Sequence, residues 1–234
     1  MQTTVKEYLF YPAFILLVLA IPMLIVSVAV NIYAGSVNLY TGGFSKYYIS
    51  DVTGISNLQL QDVARGMVDY FNGKVPSPQV EVDIRGIGRP VYSQKELIHL
   101  RDVRKIIDLF KMLEILSIVI FLAMGLYMFF KFGVRRLLKA LQAGAVVTVV
   151  FLGSVMLWAL IDFNSIFYFF HILSFSNDLW LLDPATDYLI MMFPEGFFFD
   201  SAILMVATII AAAVLVWVAA FLLKRALPPA EKSC

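Results

Sequence analysis

An all-α integral membrane fold, with four transmembrane helices, a partly folded extracytoplasmic insert and an aromatic interfacial second loop, is what this sequence predicts. Three observations predict it. Of 234 residues, 61% are hydrophobic and 15% charged, with a mean hydropathy of +0.83; soluble domains hold about 45–50% apolar and about 25% charged residues. Four apolar stretches are each long enough to cross a hydrocarbon core of about 30 Å, which takes roughly 20 residues. Lysine and arginine are also distributed unevenly along the chain.

The expected spans are about 9–31, 113–131, 141–161 and 201–223 of one membrane domain covering 1–234. The first is uncharged from Leu9 to Val30 and longer than a signal-peptide core, so it reads as a retained anchor. Pro12 and Pro22 are expected to bend it. All four must be helical, because backbone exposed to lipid has no other internal partner for its N–H and C=O groups. Lys131, Arg135, Arg136 and Lys139 follow the second span, and Lys224, Arg225 and Lys232 follow the fourth. Between Lys139 and Lys224 there is neither lysine nor arginine, although Asp162, Asp178, Asp183, Asp187, Glu195 and Asp200 all fall there. By the positive-inside rule, both termini and the second–third connection are cytoplasmic. Loops of about 34–112 and 162–200 are then extracytoplasmic.

The first loop has local order of its own. Ser56 or Asn57 can cap a helix to about Asn72, with Leu58, Val63, Met67, Val68 and Phe71 on its apolar side and Gly73 as a stop. Val80 to Ile84 alternates like a half-buried strand, and a Gly86–Gly88 turn would return it through Val91. Ser93-Gln94-Lys95-Glu96 has the pattern of a capping box, and the helix it starts can continue unbroken into the second span. The second loop is aromatic, from Phe163 through Phe170 and Trp180 to Phe197, Phe198 and Phe199. Such residues form a belt at the headgroup level or wall a lipid-facing cavity.

Several functions are excluded or disfavoured. A net charge of +1 leaves no basic stripe for nucleic acid, and no nucleotide or other cofactor is expected. The single cysteine, Cys234, permits no intrachain disulfide or thiolate cluster. The spans hold almost no charge to mark a transport path. The chain has two histidines, both on the outer side in this topology. His99 shares a helical face with Val103, Ile106 and Phe110, with Glu96 and Asp102 at i−3 and i+3. His171 aligns with Asn164, Phe167, Tyr168, Ser174 and Asp178. Each is compatible with a buried or interfacial structural histidine. Together with carboxylates they could divide base and acid duties in acyl transfer or bind zinc, although no HExxH or CxxC spacing is present, so no metal is expected.

Glu96-Leu-Ile-His99-Leu-Arg-Asp102-Val103-Arg104 resembles the E-x-x-H-x-x-D-V-K/R segment of the lipoprotein intramolecular transacylases of Gram-positive bacteria. Phe170-His171, Phe175-Ser-Asn177-Asp178-Leu-Trp180, Leu182-Asp183-Pro184, Asp187-Tyr-Leu-Ile and Met192-Phe193-Pro194-Glu195 are similar to that family's most recognisable run. Before Gln94 the resemblance rests on topology. It implies an acyltransferase that moves the sn-2 acyl chain of a diacylglyceryl-modified lipoprotein to the α-amine of its N-terminal cysteine, leaving an N-acyl, S-monoacylglyceryl (lyso) lipoprotein. The implied partners are such lipoproteins and membrane lipids. The implied place is the bacterial cytoplasmic membrane, with the active site at the outer leaflet. On this reading His99 and His171 share the proton transfers, and Glu96 and Asp102 orient His99. Asn177, Asp178 and Asp187 are second-loop supports, with Asn177 the best oxyanion donor among them. Two other readings are an intermolecular lipoprotein N-acyltransferase with the same residues and a non-enzymatic membrane sensor or assembly factor.

Overall fold

Apolar runs, caps and left-handed glycines divide the described residues into nine helices and one hairpin. The computed structural model describes residues 2–84 and 86–228, without the side chains of 2–7, so Lys232 and Cys234 lie outside the described residues. In order these are α1 (Gln2–Ala34), α2 (Val37–Lys46), α3 (Ile49–Thr53), α4 (Asn57–Phe71), β1 (Glu81–Ile84), β2 (Ile87–Pro90), α5 (Gln94–Phe132), α6 (Val134–Ile161), α7 (Phe163–Ser174), α8 (Tyr188–Met192) and α9 (Glu195–Ala226). Four of them, α1, α5, α6 and α9, are long and apolar enough to cross a membrane. Pro12 and Pro22 both lie inside α1.

Two compact units emerge. One gathers the apolar parts of the four long helices, and its core packs Ala13 and Leu17 of α1 with Met128 of α5 and Ala140 of α6. Here α5 passes into α6 through Gly133 alone, at φ +83°. A side chain with a Cβ would be strained in that conformation, so glycine makes the one-residue turn possible.

The other unit comprises Val30–Phe110 and Trp158–Met205. Helix α4 starts where Ser56 Oγ accepts the Gln59 N–H at 3.4 Å. Its buried face of Leu60, Val63, Ala64, Met67 and Phe71 forms one core with Val82 and Ile84 of the hairpin, Leu100 of α5 and Met192 and Phe193 after it. Burying an aliphatic or aromatic side chain of this size contributes about 1.5–3 kcal/mol, so this core holds the extramembrane elements in place. The hairpin is antiparallel, Glu81 opposite Pro90 and Ile84 opposite Ile87. Ile87 already pairs with Ile84, so the return is tighter than the expected Gly86–Gly88 turn, because Asp83 Oδ1 accepts the Gly86 N–H and leaves Gly88 to pair with Asp83. Arg89 reaches from β2 to the Tyr188 hydroxyl and lies 4.9 Å from that ring's centroid, which ties the hairpin to α8.

The capping box forms as expected. Ser93 N–H donates to Glu96 Oε2 at 2.6 Å, and α5 then continues unbroken for 39 residues. Helices α2 and α3 had no sequence signal. Two glycines and a threonine in Val37–Lys46 argue against a helix on propensity, and burial of Tyr40 and Phe44 overrides that. The aromatic second loop begins as helix α7, with Asp162 Oδ1 accepting the Ser165 N–H at 3.0 Å.

Candidate active site

Helical periodicity places His99 on the inward face of the first turns of α5, and it is 7% exposed. His171 lies on α7 and is equally buried. The rings come together with centroids 6.3 Å apart and planes inclined by 27°. Phe175, the C-cap of α7, sits against both: its ring is 5.0 Å from His99, edge-on, and 5.5 Å from His171. Phe167 at 4.3 Å and Trp180 at 4.8 Å complete the aromatic enclosure of His171.

One backbone contact sets the chemistry of His171. Its Nδ1 lies 2.7 Å from the Phe167 carbonyl oxygen, one helical turn earlier. A carbonyl can only accept, so Nδ1 carries the hydrogen and Nε2 keeps the lone pair. Burial pushes the His171 imidazole below its ordinary value, partly opposed by that carbonyl. His99 Nδ1 is buried and has no hydrogen-bond partner among the described residues. Burial first, and then the charge that His171 would carry, lower His99 to about 4 against the pull of Asp102. Both rings are therefore neutral at pH 7.

With 15N-labelled histidine, His99 is expected to remain neutral at pH 6 and to be half-protonated only near pH 4, and His171 to titrate below the ordinary imidazole value. A ring at its ordinary value near 6.5 would contradict this. Stability follows with a definite sign. Between its folded value and 6.5, a depressed imidazole binds fewer protons folded than unfolded. The contribution is thus fully present above 6.5 and is lost as the pH falls towards 4, for His99 a matter of roughly 3 kcal/mol.

The carboxylates near His99 are engaged elsewhere. Asp102 accepts from Lys105 Nζ at 2.8 Å and from Asn177 Nδ2 at 2.9 Å. These two hydrogen bonds, in that order, hold its carboxyl below the ordinary range. Asn177 Oδ1 in turn accepts the Leu179 N–H at 3.0 Å, so the amide clamps the second loop to α5 and commits one of its two N–H groups. Glu96 is 1% exposed, and its oxygens accept the N–H groups of Ser93 and Leu189, each at 2.6 Å. The carboxylate expected to orient His99 thus ties α8 to α5, with one backbone N–H on each of its oxygens. Asp187 accepts the Asp183 N–H at 2.8 Å and lies 3.7 Å from Lys95 Nζ, while Asp178 is exposed.

The structure therefore brings His99, His171, Asp102 and Asn177 into one cluster, with Glu96 and Asp187 in the frame around it and Asp178 at its surface. Helical spacing aligned Phe167 with His171, and Phe175 and Trp180 stand in the run that resembles the family, but neither signal indicates which ring meets which. Among the described residues, no three His, Cys, Asp or Glu side chains converge as a metal-ligand set.

Comparisons with known proteins bear on the family and the fold. The family model described as lipoprotein intramolecular transacylase Lit matches residues 15–198. No match is found among curated proteins. Among solved structures, the membrane-integral lipoprotein intramolecular transacylase Lit from Bacillus cereus aligns at TM-score 0.78 and 24% identity, covering 94% of this chain and 98% of that one. A variant of that protein with a histidine replaced by alanine aligns at TM-score 0.77 and 22% identity, covering 96% and 98%. Another, with arginine in place of a histidine, aligns at 0.73 and 23%, covering 96% of each chain.

Proposed function

The chain belongs to the lipoprotein intramolecular transacylase family, an acyltransferase family, and from that premise we propose which atoms it moves and with which residues. The substrate is a lipoprotein bearing diacylglyceryl on its N-terminal cysteine. The α-amine attacks the sn-2 ester carbonyl, the bond to the glycerol sn-2 oxygen breaks, and that oxygen takes up a proton. The products are an N-terminal amide and a free sn-2 hydroxyl within the same molecule. Because the substrate carries its own nucleophile, no serine or cysteine nucleophile is required.

The observation that carries this reading is the pairing of two neutral, buried imidazoles, one with its tautomer set by the Phe167 carbonyl. His171 is the general base: Nε2 takes a proton from the attacking amine and returns it to the leaving oxygen. The Phe167 carbonyl stabilises the imidazolium in between. His99, too weakly basic to compete at neutral pH, acts as a neutral N–H donor to the oxyanion, where a dry and preorganised donor is most effective. The free N–H of Asn177 is a second such donor. Binding amine and ester in one molecule removes much of the entropic cost of a bimolecular step.

The charge distribution in the loops supports a place in the cytoplasmic membrane with both termini inside. The site then opens at the outer leaflet, where acyl chains are at hand. The test is a lipoprotein whose sn-2 chain alone is isotopically labelled. The label is expected in the N-acyl group of the product, read by mass spectrometry. An unlabelled N-acyl group, drawn from another lipid, would establish intermolecular transfer instead.

A further inference from the structure

A second feature lies apart from the histidines. Helix α2 and the first turns of α9 border a groove of about 390 Å³ that shares no residue with the histidine cluster. Leu39, Gly42, Phe197 and Leu204 make it largely apolar, while Lys46, Tyr47 and Asp200 stand on its lining. We propose that it seats one phospholipid whose headgroup is zwitterionic with a primary ammonium, as in phosphatidylethanolamine.

Its level in the membrane follows from chain continuity. Only two residues separate the end of α1 from the start of α2, and α9 runs from Asp200 directly into the fourth expected span. Both walls therefore sit where headgroups meet acyl chains. The close approach of the walls is built in: a Cβ at Gly43 would fall 2.3 Å from the Phe197 ring. Gly42, the next residue, faces open space, with nothing within 4 Å of where a Cβ would be. One glycine joins the walls and the other leaves room for an acyl chain.

The polar end has one charge of each sign. Lys46 Nζ and the Tyr47 hydroxyl both donate to Asp200 Oδ2, the latter at 2.5 Å. Asp200 Oδ1 has no such bond among the described residues, and the ammonium of Lys46 has two further protons to donate. The pair is thus half-saturated and carries no net charge. An anionic headgroup would meet Asp200, and a quaternary ammonium could not donate to it. A primary ammonium can donate to Oδ1 while the phosphate of the same lipid accepts from Lys46.

The full-length protein, purified in mixed micelles with equal amounts of dioleoyl-phosphatidylethanolamine, -phosphatidylglycerol and -phosphatidylcholine, can be examined by native mass spectrometry. One phosphatidylethanolamine per chain is expected to be retained, at least fivefold over either of the others. Gly42→Leu, which fills the groove and favours helix, and Asp200→Asn should each reduce that retention at least fivefold. His171→Ala should leave it unchanged, which separates this site from the proposed catalysis. Equal retention of the three lipids, retention unmoved by either groove substitution, or loss of retention in His171→Ala would overturn the proposal.

Discussion

Replacing His171 by alanine is expected to slow formation of the lyso product by about a thousandfold, within the 10²–10⁴-fold range of a positioned acid–base group. Its Nδ1 is held by the Phe167 carbonyl, so the ring presents one lone pair in one orientation. Among the described residues the nearby carboxylates are engaged elsewhere: Asp102 with Lys105 and Asn177, and Glu96 with backbone N–H groups. His99→Ala should cost less, about a hundredfold, the loss typical of one oxyanion donor. Lipoprotein N-termini read by mass spectrometry in a strain lacking other N-acylating activity would measure both. Wild-type product levels in both single variants would remove the histidines from the mechanism. A larger loss for His99→Ala than for His171→Ala would exchange their roles.

Glu96→Ala is expected to act on the fold, lowering stability by about 2–4 kcal/mol. A buried donor left unsatisfied costs about 1–3 kcal/mol; the Leu189 N–H would be buried without its acceptor, and the capping box of α5 would lose its reciprocal bond. The Leu189 bond anchors α8, and with it the loop that carries Asn177 and Trp180. Thermal melting of the purified variant should show the loss directly, with Glu96→Gln intermediate because it keeps one acceptor. If Glu96 oriented His99 instead, the variant would melt like wild type, and the 15N signals of His99 would move.

Much of the fold was legible because it depends on local physics. Hydropathy over some twenty residues marks a membrane helix wherever it packs, and the Ser93–Glu96 box and the Ser56 cap close within one turn. The Gly133 corner was not foreseen, nor were α2 and α3, whose helical state comes from burying Tyr40 and Phe44 against a distant aromatic core. The hairpin was foreseen with the wrong turn, since the Asp83 side chain, not glycine spacing, chose it.

By itself, the sequence determined four apolar spans, the inward face of His99 and the two histidines as the candidates for chemistry. Only the tertiary structure decided that their rings meet across Phe175, that a backbone carbonyl selects the tautomer of His171, and that Glu96 serves α8 while Asn177 holds Asp102. The division has one physical cause. Helix formation and membrane insertion depend on neighbours in the chain, whereas burial, tautomer and carboxylate pairing depend on neighbours in space, and α5 and the second loop meet only when the chain is folded.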